Sequence, residues 1–367
     1  MGLDTEFVRE RTYRARLCLV QVSAGEDVAL IDVHAGADLA PLATLVAEPG
    51  IETVVHAGRQ DLDILHDRFG TVPANVFDVQ VAAGFTGLGS SLPYGRLVES
   101  VVGVTLVKGE SYTDWCRRPL SEQQLSYAEA DVRYLLPVAD RLKQELERRG
   151  RSDWMREEML ALEAHSSFGI DPRDAWQRVP GRGTLSARQL AILKELAAWR
   201  EETAARRDLP RGWVVKDPTL VEIARRRPKS VQQLKAIRGF NAREADRSGR
   251  AILEAVAAGS RTEIMEQRDA TWPRTAVARA RMLSGPADAV ARAHSEAAGI
   301  ALELVVTRAE TEALLTELFA GNLDESRHRV LKGWRRELIG DRLLALAAGK
   351  TAVRAIDSPP YIEEVQL

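Results

Sequence analysis

The stretch Gly2-Leu3-Asp4-Thr5-Glu6-Phe7, at the start of the chain, sets the first strand of the fold. On a β-strand, residues two apart point to one face, so Asp4 and Glu6 lie together and opposite Leu3 and Thr5. Two carboxylates on one face repel unless something neutralises them, and a divalent cation often does so. An exposed polar face on an edge strand is the alternative, and for this pair alone it is the commoner explanation.

The next residues predict an α/β sheet. Two β-branched runs, LCLVQV (17–22) and VALIDV (28–33), are separated by the turn-like sequence AGED (24–27), which favours a hairpin. The elements that follow are a short helix at 39–46, a strand at 53–56, a helix at 59–69 and a strand at 76–79. Antiparallel strands followed by strands that alternate with helices predict a mixed sheet covered by helices.

A third acid, Asp61, lies in the first turn of the predicted helix 59–69. Asp63 is two positions further, about 200° round the helix, so only one of the two can share a site with the strand acids. We choose Asp61, because Leu62 and Leu65 then face the core. The alternative for Asp61 is compensation of the helix dipole.

The sequence Tyr127-Ala128-Glu129-Ala130-Asp131 lies in a helix predicted from Ser121 to Arg148, with a kink at Pro137. Tyr127 and Asp131 are one helical turn apart, so the phenol and the carboxylate project side by side. A surface pair joined by a hydrogen bond is the alternative interpretation.

In this order, the strand Asp-x-Glu, the helix-start Asp and the helical Tyr-x-x-x-Asp resemble the DEDD exonuclease superfamily, in the subclass marked by tyrosine. The likeness is closest to the ribonuclease D family and covers about residues 1–150. The segments that carry it are residues 3–9 with 11–13, 56–58 with 61–62, 77–80, 103–106, 113–115 with 118–120, and 127–128 with 131 and 134–136. The resemblance implies an RNase H-like exonuclease domain.

The resemblance also implies a set of ligands for two divalent cations, Mg²⁺ or Mn²⁺, and no small-molecule organic cofactor. Asp4 would bridge the two ions, Glu6 and Asp131 would complete the ion beside the attacking water, and Asp61 would serve the other ion. Tyr127 would orient the water.

Two further residues are predicted to contact the terminal nucleotide. Phe7 would stack on it and His56 would form a hydrogen bond to it. For His56, a core histidine satisfied by backbone groups is an equal alternative.

The second half of the chain is predicted to be helical and basic. Residues 1–150 hold 15 Lys/Arg against 22 Asp/Glu, a net charge of −7, whereas residues 186–259 hold 16 against 9, a net charge of +7. Residues 185–260 resemble the HRDC domain that follows the exonuclease domain in this family. We predict a linker at 151–184 and a second, divergent HRDC-like domain at 275–350.

The basic residues of the HRDC-like domain predict contacts with RNA phosphates, through Arg225, Arg226 and Arg227 above all. A solvated helix end that offsets the helix dipole is an equal alternative for this run.

We therefore expect a cytoplasmic, monomeric 3′→5′ exoribonuclease, without a membrane segment, that trims structured RNA ends such as tRNA precursors. A 3′→5′ DNA exonuclease and a catalytically silent RNA-binding adapter are the alternatives. Only three residues precede Asp4, fewer than in the family, so we expect either an upstream start codon or a shortened strand. Cys18 and Cys116 carry no companion at metal-ligand spacing and are predicted to be reduced and buried.

Overall fold

The structure is a computed structural model that describes residues 1–106, 113–164, 168–169, 171–262 and 272–367. The chain forms two compact units. The first comprises Met1–Glu6, Leu17–Ser167 and Trp272–Leu367, and the second comprises Phe7–Arg16 and Phe168–Thr271.

A five-stranded sheet forms the base of the first unit. Its strands are β1 (Gly2–Val8), β2 (Arg16–Ala24), β3 (Asp27–Asp32), β4 (Thr53–Val55) and β5 (Val76–Asp78), in the order β3-β2-β1-β4-β5. β2 and β3 pair antiparallel, whereas β1, β4 and β5 pair parallel. The prediction of a mixed sheet is confirmed, with the acid-bearing strand β1 in its centre.

Helices cover this sheet. They are α1 (Ala40–Ala47), α2 (Arg59–Phe69), α3 (Val79–Phe85), α4 (Tyr94–Val102), α5 (Glu122–Arg133), α6 (Leu135–Arg148) and α7 (Ser152–Glu163).

The single kinked helix predicted from Ser121 to Arg148 is wrong, because α5 and α6 are separated at Tyr134. Pro137 lies in the first turn of α6, where a missing backbone N–H is tolerated. Its ring would clash with the carbonyl of Arg133 if one helix continued through, so the chain breaks before the proline.

The predicted linker at 151–184 differs from the structure, because α7 occupies its first part. Met155 and Met159 of α7 are buried, and the backbone N–H of Val76 donates to Glu163 at 2.8 Å. Residues 171–184 carry two short 3-10 segments, and Ala175 in the first and Val179 directly after it join the core of the second unit. Residues 165–167 and 170 of the predicted linker lie outside the described residues.

The second unit is helical, as predicted. Its helices are α8 (Ala187–Arg207), α9 (Arg211–Val214), α10 (Asp217–Arg226), α11 (Val231–Lys235) and α12 (Ala242–Arg261). α8 begins with a capping box in which Ser186 and Gln189 satisfy each other's backbone N–H groups. Its apolar residues, including Leu193 and Leu196, form the centre of the core.

The last part of the chain belongs to the first unit. Its elements are α13 (Arg274–Ala298), α14 (Leu302–Val305), α15 (Arg308–Phe319), α16 (Gly333–Arg335), α17 (Asp341–Ala347), β6 (Thr351–Ala355) and β7 (Ile362–Gln366). The Trp334 ring lies 5.0 Å from that of Phe85, and Arg335 donates to both carboxylate oxygens of Glu158 at 2.6 and 2.7 Å. This segment therefore packs on α3 and α7 of the same unit, which the sequence did not predict.

The prediction that both cysteines are reduced and buried is wrong. Cys18 and Cys116 form a disulfide with Cα atoms 5.2 Å apart, and only Cys18 is fully buried. The two residues are separated by 98 positions in sequence, so no local pattern indicated that they meet. Among the helices that the structure describes, none is long and apolar enough to cross a membrane.

A substitution at Gly259 can test the packing of α12 on α8. A Cβ there would lie 2.5 Å from the Cα of Ile192 and 2.8 Å from the carbonyl oxygen of Ala191, both backbone atoms. We expect Gly259→Ala to destabilise the second unit by about 1–3 kcal/mol, as overpacking does, in a denaturant unfolding experiment. Gly183→Ala is the matched control, because nothing lies within 4 Å of its Cβ position. Equal stability of the two variants would contradict the described helix packing.

Candidate active site

Three carboxylates converge at the centre of the sheet. Asp4 and Glu6 project from β1, Asp131 projects from α5, and ligand oxygens of the three lie within 4.8 Å of one another. All three side chains are half-buried. The strand pattern and the helical pattern, far apart in sequence, therefore place their acids in one pocket.

Asp61 lies beside this group rather than within it. It is 7% exposed in the first turn of α2, and its carboxylate accepts a hydrogen bond from the Thr5 hydroxyl. After burial, its charge is the largest contribution to the raised pKa of Asp4. Asp63 is much more exposed and pairs with Arg59 at 3.2 Å on the surface, so the two aspartates of this helix have different surroundings.

The pocket disfavours negative charge on its acids. Burial raises the pKa of Glu6 to about 8, and the charges of Asp131 and Asp61 act in the same direction. Burial also raises the pKa of Asp131 to about 7 and that of Asp61 to about 6. The pKa of Asp4 lies well above its usual range, because of burial and then of the three neighbouring acids. The site is therefore a partly buried cluster of acids whose charged forms are disfavoured without a positive partner.

Tyr127 lies one turn before Asp131 on α5 and forms a hydrogen bond with its carboxylate. Burial, followed by the charge of Asp131, raises the pKa of the Tyr127 hydroxyl above its usual value. Its ring lies 6.0 Å from that of the buried Trp115. The phenol is therefore protonated at neutral pH and hydrogen-bonded to Asp131.

Asp78 supports the turn before α2, a role that we did not predict. Its two carboxylate oxygens accept from the backbone N–H groups of Ala57 and Gly58, both at 3.1 Å, and one of them also caps α3 at Gln80. Ala57 has a positive φ of 53°, a conformation that needs such support. An aspartate between a strand and a helix is a capping signal that could have indicated this residue.

His56 and Tyr94 lie beside each other near the pocket, with ring centroids 5.4 Å apart. A ring nitrogen of His56, Nε2, lies 3.0 Å from the carbonyl oxygen of Leu92, and burial lowers the His56 pKa. This contact corresponds to the alternative in which backbone groups satisfy the histidine. After burial, the charges of Asp131 and Asp4 raise the Tyr94 pKa, so Tyr94 lies close to the acids, and the sequence did not indicate it.

The other predicted substrate-binding residues are placed differently. Phe7 follows Glu6 on β1 and is half-buried. Arg225 and Arg226 pair with Glu222 of their own helix at 3.0 and 2.6 Å. Arg227 is exposed and ends α10 with a φ of 51°. Part of this arginine run is therefore engaged locally.

The donor set of the pocket fits a hard divalent cation. Asp4, Glu6 and Asp131 offer only oxygen atoms, and Mg²⁺ and Mn²⁺ prefer oxygen ligands. Each acid has a raised pKa, so the charged forms need a positive partner. A cation in the pocket would supply it.

Comparison with known proteins matches two parts of the chain to known domain families. A family model for 3′-5′ exonucleases matches residues 1–147, and an HRDC domain model matches residues 189–256. Ribonuclease D of Acidiphilium cryptum is 40% identical over 358 residues, which cover 96% of this chain and 89% of that protein. Ribonuclease D of Gluconacetobacter diazotrophicus is 39% identical and covers 95% of this chain and 88% of that protein.

Solved structures are similar in fold. The crystal structure of Escherichia coli RNase D, described as an exoribonuclease involved in structured RNA processing, is 33% identical, with a TM-score of 0.81, and covers 95% of this chain and 92% of that chain. The catalytic core of RRP6 from Trypanosoma brucei is 27% identical, with a TM-score of 0.53, and covers 70% of this chain and 73% of that chain. This chain therefore belongs to the ribonuclease D family of hydrolytic exoribonucleases.

Proposed function

We propose that this protein removes nucleotides from the 3′ end of structured RNA, tRNA precursors among them, and releases nucleoside 5′-monophosphates. The observation that carries the proposal is the convergence of Asp4, Glu6 and Asp131 within 4.8 Å in the domain that matches 3′-5′ exonucleases. The description of the Escherichia coli relative as an enzyme of structured RNA processing supports the substrate class.

Exonucleases of the DEDD type depend on divalent metal ions, and we assign two ions, Mg²⁺ or Mn²⁺, to this pocket. Asp4 would contact both ions, Glu6 and Asp131 would hold one, and Asp61 would serve the other directly or through water. Bound there, the ions would lower the pKa of the attacking water and neutralise charge on the leaving 3′-oxygen. The Thr5 hydroxyl would keep the Asp61 carboxylate oriented toward the site.

Tyr127 would orient the attacking water. Its raised pKa keeps the phenol protonated at neutral pH, so its oxygen can donate one hydrogen bond and accept another without acting as a base. Correct orientation of the water would contribute about 10²- to 10⁴-fold to the rate. The Trp115 ring would limit the movement of the phenol.

Substrate would be held by residues outside the acid pocket. Phe7 would stack on the terminal base, and His56, which lies beside Tyr94, would form a hydrogen bond to the terminal nucleotide. The basic HRDC domain, with Arg225, Arg226 and Arg227, would contact phosphates regardless of base sequence. We further propose that the enzyme acts in the cytoplasm as a monomer.

Replacement of Asp61 tests the assigned ligands. We expect Asp61→Asn to abolish Mg²⁺-dependent trimming of a 3′-overhang RNA, because an amide cannot supply the negative charge, while RNA binding in a filter assay stays close to wild type. Asp63→Asn, on the same helix but paired at the surface with Arg59, should keep near wild-type activity. Trimming by Asp61→Asn would contradict the assignment, and an inactive wild type would favour a silent RNA-binding adapter.

The raised pKa values predict that the stability of the cation-free protein depends on pH. Asp131 and Glu6 have ordinary pKa values of 3.8 and 4.5 and folded values of about 7 and about 8. The folded state therefore binds protons more tightly than the unfolded state, and its stability should fall as the pH rises from about 5 to 8. We expect thermal unfolding in EDTA to show this fall and Mn²⁺ to reverse it, with a larger shift at pH 8 than at pH 5.5.

Glu6→Gln is the matched variant for this experiment. It should raise the unfolding temperature in EDTA at pH 8 and reduce the shift caused by Mn²⁺. A Mn²⁺ shift that does not depend on pH, or that persists in Glu6→Gln, would contradict a cation site formed by these acids.

RNA and DNA oligonucleotides of the same sequence, offered together, test the substrate class. We expect the RNA to be shortened faster and the products to be 5′-monophosphates, separated by chromatography. A clear preference for DNA would replace the proposal with a 3′→5′ DNA exonuclease.

A further inference from the structure

We propose that Cys18, Cys116 and His34 form a second metal site, which binds one thiophilic divalent cation such as Zn²⁺ when the two cysteines are reduced. Their sulfur and imidazole nitrogen atoms all lie within 4.8 Å of one another. In the structure the two sulfurs are joined as a disulfide, so the disulfide and the metal-bound form exclude each other.

Contacts that do not involve sulfur bring the three residues together. Arg118 donates to the backbone carbonyl of Cys18 at 2.8 Å and to both carboxylate oxygens of Asp32 at 2.6 Å. Asp32 in turn accepts from the backbone N–H of His34 at 2.8 Å. Because Arg118 lies two residues after Cys116, it anchors that segment to both strands. The three ligands should therefore stay adjacent when the disulfide is opened.

The positions of the donors suit a tetrahedral cation. With zinc-sulfur bonds of about 2.3 Å, two thiolates on one tetrahedral ion lie about 3.8 Å apart, which requires only a short separation of the two sulfurs. The imidazole is the third ligand, and water can take the fourth position, because His34 is exposed and Cys116 is half-buried.

The proposed site and the acid pocket prefer different metal ions. Thiolate and imidazole ligands prefer Zn²⁺, whereas the carboxylates of the pocket prefer Mg²⁺ or Mn²⁺. In a reducing compartment, thiols rather than disulfides are the stable form of cysteine. The bound cation would then provide the cross-link between β2 and residue 116 that the disulfide provides in the oxidised protein.

The site is connected to the catalytic pocket through one residue. Cys116 directly follows Trp115, whose buried ring lies 6.0 Å from that of Tyr127. A cross-link at Cys116, by sulfur or by metal, would therefore hold Trp115 against the predicted catalytic tyrosine.

Cobalt absorption spectroscopy on the full-length protein tests the proposal. The disulfide is first opened anaerobically with a water-soluble phosphine, which takes oxygen from one water molecule to become the phosphine oxide and leaves two thiols. After desalting, Co²⁺ is titrated in excess Mg²⁺, which competes for the acid pocket. We expect one Co²⁺ per chain to give thiolate-to-metal charge-transfer absorption, and Zn²⁺ to abolish it. Carboxylate ligands do not give this band.

Two variants complete the experiment, and neither changes a catalytic residue. Cys116→Ser should lose the charge-transfer band while it keeps a cooperative unfolding transition, and His34→Ala should weaken the affinity for Zn²⁺ at least about tenfold. The proposal is overturned if the reduced wild type gives no thiolate band, or if His34→Ala binds Zn²⁺ as tightly as the wild type. Because the readout is absorption, loss of nuclease activity would not affect it.

Discussion

Four acids are gathered in one half-buried pocket, where the loss of hydration and then their mutual repulsion disfavour the charged forms. Asp4, Glu6 and Asp131 meet within 4.8 Å, with Asp61 beside them, and each has a raised pKa. Stability alone gives no reason to gather acids in this way, because each charge loses its hydration on burial. The arrangement becomes favourable when cations replace the lost water, which links the fold to its chemistry.

The surrounding structure fixes the acids against this repulsion. β1 lies in the middle of the sheet with paired strands on both sides, so Asp4 and Glu6 cannot move apart by bending an edge. A capping box at Ser121 starts the helix that carries Asp131. The carboxylate of Asp78 holds the turn that precedes α2. The strand and the two helices that carry the acids are thus each held by contacts of their own backbone or caps.

Several arginines of the second unit are engaged in ion pairs. The segment 186–259 holds 16 Lys/Arg against 9 Asp/Glu. Arg207 pairs with Glu244 at 2.8 Å and Arg211 with Glu201 at 2.6 Å, and both pairs are partly buried. The net charge of +7 already counts these acids. The number of basic residues alone therefore overstates how many cationic side chains of this unit are unpaired.

The mixed sheet, the helical second half and the residue patterns of the acid pocket could be predicted from the sequence, because side-chain periodicity and capping signals act over a few neighbouring residues. Three other features come from tertiary contacts. These contacts join Cys18 to Cys116, place residues 272–367 in the first unit and bring Trp115 beside Tyr127. These depend on contacts between segments about ten to several hundred residues apart, and a contact of that kind leaves no local period or spacing in the chain.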